Sequence, residues 1–288
     1  MNPTTEILKR INKSSADHKD GVFTRLYRYL LREDVYYTAY KNLYANQGAA
    51  TKGTDEDTAD GFGKEYIENI IGDLSNGTYE PKPVRRTYIP KKNGKQRPLG
   101  IPSFRDKIVQ DVIRMYLEAI YEPIFSDRSH GFRPDRSCHT ALTQITKGFN
   151  GTKWFIEGDI RGCFDNIDHA VLLALLAEKI KDTRFVNLIG KFLKAGYMEQ
   201  WKYNATYSGT PQGGIISPIL ANIYLHELDR KVEELKKGFD RPPLHTVTHE
   251  YSAKSWAIDK VRRRLNETTD ATEKMALVAE LKRLKANW

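Results

Sequence analysis

The residues best suited to chemistry fall in the stretch 154–169, WFIEGDIRGCFDNIDH. Bulky side chains open it as a short buried strand, and Asp159 interrupts the apolar run near its end. Gly162 breaks the chain before Cys163, Phe164 and Asp165, and Asp168 is placed to cap a following helix. An ionised carboxylate at the end of a buried strand is costly unless something offsets its charge. A divalent metal ion, which prefers oxygen ligands, is one answer, and backbone donors at the strand end are the other. Those residues alone leave both open. Asp165 and Asp168 lie past the turn, where short acids cap helices and bond loop amides.

Two further stretches could meet phosphate. Residues 209–218, GTPQGGIISP, form a tight loop opening a helix. Its glycines let backbone approach a ligand, and helix N-terminal amides favour anions. Between Val84 and Pro102, strand-like runs flank Lys92-Asn93-Gly94-Lys95, and Asn-Gly in that setting predicts a hairpin. Arg85, Arg86, Lys91, Lys92, Lys95 and Arg97 load it with cations and no acid lies among them. Such a run is either a solvated face or, on a stiff hairpin, a phosphate-binding one. A two-residue Asn93-Gly94 turn puts Lys91 and Arg97 on opposite faces. His130, alone in a polar loop, reads as an ordinary hydrogen-bonding residue.

Helices must position most of these residues. Residues 1–20 are polar and read as a frayed start, while Phe23, Leu26, Tyr27, Leu30, Val35 and Tyr40 predict one or two short helices. Residues 45–63 read as a loop, either a lid over a bound strand or plain surface, with Asp60 a candidate cap for a helix over 64–74. Ile108, Val112, Met115, Tyr116, Ala119 and Ile120 mark a core helix that ends by Pro123. Further helices are predicted over 138–145, 169–180, 184–195 and 219–236, with a strand over 203–208. A basic helical hairpin, about 248–265 and 271–287, follows.

The composition is that of a chain that meets polyanions. Its 288 residues hold 46 Lys and Arg against 37 Asp and Glu, a net charge of +9. Cys138 and Cys163 have no metal-ligand spacing and read as free thiols. No apolar run approaches the roughly 20 residues of a membrane span. The expectation is a cytoplasmic protein with no membrane partner.

RRTYIPKKNGKQRPLGIPSFRDKIVQ, SHGFRPDRSCHTAL, FIEGDIRGCFDNIDH and GTPQGGIISPILANIYLHELD occur in that order. Together they resemble the successive blocks of a group II intron-encoded reverse transcriptase/maturase, over about residues 25–229. The resemblance implies an α+β right-hand polymerase fold, helix-rich with small antiparallel sheets. It divides the chain into an N-terminal extension with a template-binding loop (1–63), fingers (64–150), an incomplete palm (151–240) and a basic helical insertion (241–288). It implies that Asp159 and the Ile160 carbonyl bind a metal ion, and that Phe164 lies under the incoming sugar, where its ring bars a 2′-hydroxyl. Gln212 and Gly213 would lie beside that nucleotide, with Arg97, Lys91 and Arg85 on its triphosphate. Arg86, Lys92, Lys95, Arg262, Arg263 and Arg264 are the expected RNA contacts. The implied cofactor is Mg²⁺, two ions in the complete site, since joining a 3′-hydroxyl to a triphosphate uses one ion on each side. Implied partners are intron RNA, an RNA template with its DNA primer and deoxynucleoside triphosphates; a palm cut short would expose apolar surface, so a second copy of the chain is a further expected partner.

The sequence departs from that family in one respect: it contains no Asp-Asp dipeptide, whereas the family carries one in a Tyr-x-Asp-Asp hairpin after the Gln-Gly-Gly loop. The reading is therefore fingers plus part of a palm, cut within a helix, from a polymerase that also aids splicing. An RNA-binding splicing cofactor without polymerase activity is the alternative. The chain alone is expected not to extend a DNA primer on an RNA template with Mg²⁺ and deoxynucleotides. Extension above background would show that the adjacent aspartates are dispensable.

Overall fold

The computed structural model describes residues 3–45, 48, 51–91, 94–149, 154–210, 213–239 and 249–286. Its first helix, α1 (Thr4–Asp17), replaces the expected frayed start. Ile7 and Ile11, one turn apart, are buried on the core, and Pro3 leaves the helix start without a side-chain cap. Asp34 supplies the missing acceptor, taking bonds from the Thr4 amide (2.8 Å) and hydroxyl (2.7 Å). After a 3₁₀ turn at Tyr27–Leu31 come α2 (Glu33–Tyr44) and α3 (Lys64–Asn76). Asp60 does not cap α3: it sits in its own 3₁₀ turn, Ala59–Gly61, and Gly63 occupies the cap position.

The cationic segment forms the hairpin β1 (Val84–Pro90) and β2 (Gln96–Ile101), and α4 (Phe104–Tyr121) follows. The Lys91 amide donates to the Lys95 carbonyl (2.7 Å) and Gly94 adopts φ +77°. The turn is thus one residue longer than a two-residue Asn-Gly turn, with a left-handed glycine closing it. Lys92 and Asn93 lie outside the described residues. The register pairs Ile89 with Arg97, so Lys91, two residues beyond Ile89, shares the Arg97 face. The expected opposition of Lys91 and Arg97 is corrected by that single extra residue. Two short strands, β3 (Tyr197–Glu199) and β4 (Lys202–Asn204), complete one sheet of order β2-β1-β3-β4. Gln200 and Trp201 both have positive φ, the geometry of a tight hairpin turn. The β1–β3 pairing is parallel, so the sheet is mixed, and the predicted strand over 203–208 is only its first two residues.

The remaining helices are α5 (Cys138–Gly148), α6 (His169–Lys179), α7 (Thr183–Lys194), α8 (Ser217–Phe239), α9 (His249–Glu267) and α10 (Ala271–Ala286). Ser137 caps α5 through a reciprocal bond with Thr140, and Asp168 caps α6 as its position predicted. The chain divides into two compact units, Met1–Val232 and Glu233–Trp288. Within the second, Ile258 and Val261 of α9 and Leu277 of α10 are buried, and Arg264 pairs with Glu273 at 3.0 Å.

The expected strand over 154–159 is absent. Trp154, Phe155 and Ile156 are 86%, 67% and 94% exposed, and residues 154–160 form no regular element. A strand needs a neighbour for its amides and carbonyls, and no described strand runs beside this segment.

At the centre of the first unit, α4 is buried on every side. Ile108, Val112, Tyr116 and Ile120 pack inward as their spacing predicted, and so do Val109, Ile113 and Leu117 on its other faces. Its buried polar side chains therefore need partners inside the protein. Asp106 accepts from the Tyr79 hydroxyl (2.7 Å), the Lys82 amide (2.9 Å) and the Ser103 hydroxyl (2.9 Å). Burial raises its pKa, and those donors hold the rise in check. Lys107 donates to the carbonyls of Gly48 (3.1 Å) and Thr51 (2.6 Å). The Gln110 side-chain oxygen accepts from the amides of Ile215 (2.8 Å) and Ile216 (3.4 Å), just before α8. Gln110→Met keeps the volume and removes that acceptor. It is expected to destabilise the fold by about 1–3 kcal/mol and to speed amide exchange at Ile215. Urea unfolding with hydrogen exchange checks this; unchanged exchange at Ile215 would show that the tether does not hold the loop.

Candidate active site

The turn after Asp159 is built from short-range bonds. Gly162 has φ +62°, and its carbonyl accepts from the amides of Asp165 (3.0 Å) and Asn166 (3.1 Å) and from the Asn166 side chain (2.9 Å). This winds 164–166 into a 3₁₀ turn, with Ile167 buried beneath it and Asp168 capping α6 by accepting from the Val171 amide at 3.0 Å. Asp168 does the capping expected of it, while the Asp165 carboxylate is exposed and only its backbone takes part in the turn.

The glycine loop is tied directly to this turn. The Thr210 amide donates to the Phe164 carbonyl (2.8 Å) and the Gly209 amide to the Ile167 carbonyl (2.7 Å). The Ser208 hydroxyl donates to the Asp165 carbonyl (3.2 Å), and buried His169 bonds the Gly209 carbonyl through Nε2 at 2.7 Å. The close approach demands glycine: a Cβ on Gly209, at φ +81°, would lie 2.7 Å from the Phe164 carbonyl oxygen. Further along, a Cβ on Gly213, at φ +108°, would lie 2.5 Å from the Gly100 carbonyl oxygen and 2.8 Å from a methyl of Leu99. The loop therefore sits against β2, and Leu99 is two residues beyond Arg97 on the same face. Gln212 lies outside the described residues.

Phe164, Gly213 and the β2 segment carrying Arg97 thus belong to one connected arrangement, with Gln110 beneath its loop. The sequence reading missed Gln110. Its signal was a lone amide among the apolar residues on the other side of α4. Arg85 directs its guanidinium to the carbonyls of Lys52 (2.8 Å) and Gly53 (3.0 Å), holding the loop beside α3. Arg86 stacks on Tyr197, its guanidinium carbon 3.5 Å from the ring centre. Lys91, Lys95 and Arg97 stand on the hairpin, and Lys92 is outside the described residues. Arg262 pairs with Asp259 (3.2 Å) and Arg264 with Glu273, while Arg263 is exposed beside them.

Asp159 and Ile160 lie on the exposed segment before the turn. Among the described residues no cluster of three or more His, Cys, Asp or Glu could hold a metal ion. The Asp159 carboxylate and the Ile160 carbonyl are oxygen donors of the type a hard divalent ion takes, and two such donors are fewer than its coordination requires. Cys163, a free thiol, has its pKa raised by burial, which leaves it a poor nucleophile or ligand.

Residues 89–251 match the family described as reverse transcriptase (RNA-dependent DNA polymerase). The group II intron-encoded protein LtrA of Lactococcus lactis subsp. cremoris is 58% identical over 281 residues, which is 97% of this chain and 47% of that protein. An uncharacterized 91 kDa protein in the cob intron of Schizosaccharomyces pombe is 50% identical over 235 residues, 81% of this chain and 29% of that one. Nuclear intron maturase 1, mitochondrial, of Arabidopsis thaliana is 30% identical over 184 residues, 46% of this chain and 26% of that one. The chain thus spans about half the length of LtrA, and less of the others. The helix-rich fold with its small mixed sheet is consistent with polymerase fingers and palm. With four ordered sequence blocks, a family match over more than half its length and these relatives, the chain belongs to the reverse transcriptase family, in its group II intron-encoded branch.

Proposed function

We propose that this chain is the RNA-gripping, nucleotide-selecting part of an RNA-directed DNA polymerase encoded by a group II intron and active in splicing and retromobility. The observation that carries this reading is the convergence of three separate blocks. Phe164 is bonded through its carbonyl to Thr210, and Gly213 lies on the hairpin strand that carries Arg97. In this reading the Phe164 ring bars a ribonucleotide's 2′-hydroxyl, and Gln212 and Gly213 border the incoming deoxynucleotide. Arg97 and Lys91, brought to one face by the hairpin register, approach its triphosphate. Arg85, already bonded to the Lys52 and Gly53 carbonyls, acts through the loop it holds.

Asp159 and the Ile160 carbonyl would hold Mg²⁺, together with oxygens from substrate. When bound, the ion would neutralise phosphate charge and make the primer hydroxyl more acidic. One acid does not complete a two-ion site, so no phosphoryl-transfer step is assigned to this chain. RNA binding needs no further acid, which favours a second, overlapping reading as a maturase-type splicing cofactor. Arg86, Lys92, Lys95, Arg262, Arg263 and Arg264 are assigned to RNA phosphates in either case. A second copy of the chain is a proposed partner, because residues 154–156 leave large apolar side chains in solvent. No described helix is long and apolar enough to cross a membrane, and the proposed location is the cytoplasm.

The test is RNA binding as a function of salt. Affinity for structured intron RNA should fall about a thousandfold between roughly 50 and 200 mM salt, the response of several neutralised phosphates. Arg262→Glu with Arg263→Glu should weaken binding further and flatten the slope. A salt-independent affinity would overturn the assignment of these cations.

A further inference from the structure

The loop between α4 and α5 holds one bulky residue in a conformation that such residues rarely adopt. Phe132 has φ +54°, and 67% of it is exposed, so burial does not explain its backbone. Its neighbours are fixed from three sides. The ring nitrogens of His130 bond the Thr140 hydroxyl and the Gln144 side-chain oxygen of α5, both at 2.8 Å. The Gly131 carbonyl accepts from Asn222 of α8 at 2.9 Å. Arg133 is buried, and its guanidinium donates to Glu122 (2.9 Å) and to the carbonyls of Ser126 (2.6 Å) and Ser129 (2.7 Å). A strained residue held by an over-determined surround points to a use for its side chain. That side chain has a visible one. The Phe132 ring stands edge-on to Phe164, with centroids 6.1 Å apart and planes at 86°.

We propose that Phe132 is a specificity-determining residue, the second wall of the sugar gate, which keeps the Phe164 ring where it collides with a 2′-hydroxyl. This rests on the reading of Phe164 as the gate. A lone half-buried ring can rotate aside for a larger sugar. An edge-on neighbour on an anchored loop removes that escape, and the T-shaped contact itself favours the closed orientation. The strain at Phe132 is then the cost of aiming a ring from outside the core. His130, Gly131 and Arg133 anchor the loop, and the Phe132 ring meets Phe164.

The test uses the native chain bound to an RNA template annealed to a DNA primer, with Mg²⁺, titrated separately with dATP and ATP opposite uridine. The native chain should prefer dATP, and Phe164→Ala should abolish the preference. Phe132→Ala should lower it roughly two- to tenfold, the equivalent of one T-shaped aromatic contact, by letting ATP in. Phe132→Tyr, which keeps the edge-on ring, should restore it. Melting temperatures of the variants show that the fold persists. If the native chain shows no preference, the reading of Phe164 and this proposal fall together. If Phe164→Ala abolishes the preference and Phe132→Ala leaves it intact, or weakens both nucleotides equally, only the proposal falls.

Discussion

The fold depends on a helix that is buried on every face yet carries charged and amide side chains. A buried polar group without a partner costs more than most single contacts contribute, so α4 forces the surrounding chain to supply partners. Those partners are the loops that matter. Asp106 fixes the approach to β1 through Tyr79 and Lys82, Lys107 fixes the segment around Gly48 and Thr51, and Gln110 fixes the glycine loop. One helix thereby sets the relative placement of the fingers hairpin, the N-terminal loop and the loop beside Phe164. Burial raises the pKa of Asp106 and lowers that of Lys107, so both bear a desolvation cost for this positioning.

Much of this was legible in the sequence where local chemistry decides structure. The stripe from Ile108 to Ile120 gave α4, and Asp168 gave the cap of α6, because helix periodicity and capping act over a single turn. The ordered blocks around Asp159 and Gly213 gave the family. What was not legible depends on partners distant in the chain. The helix α1 is stabilised by Asp34 and by burial against α4, neither visible in its own polar sequence. The hairpin register turned on one residue, since a left-handed Gly94 in a longer turn moves every later side chain to the other face. Gln110 and Phe132 were missed for a related reason: their roles lie in a bond and a ring contact spanning 105 and about 30 residues.

The glycines of the site show how sequence and proximity are joined. Gly209 and Gly213 are not merely flexible, because each lies where a Cβ would strike another backbone. Gly209 lets the loop meet the Phe164 turn, and Gly213 lets it meet β2. A side chain at either would push apart the two elements that meet there. With the turn bonded at 2.7–2.8 Å, these glycines hold the Phe164 turn, the loop and β2 against one another.

The segment carrying Asp159 is different, and the boundary is sharp. From Gly162 onward, every turn residue is held by backbone bonds or by burial of Ile167. Before it, residues 154–160 have no ladder partner, and their large apolar side chains face solvent. An acid binds an ion with useful geometry only when its backbone is fixed to within a fraction of an ångström. On the proposed reading Asp159 would need its backbone fixed to serve an ion, and a partner for residues 154–156 would also cover the exposed Trp154 and Ile156. Only Ile160 and Arg161 separate Asp159 from the anchored turn, so the two proposed roles sit on adjoining segments with different backbone support. In the proposed reading, sugar selection and ion binding therefore rest on different supports: the first on α4, the glycine loop and the Phe164 turn, the second on a segment with no described ladder partner.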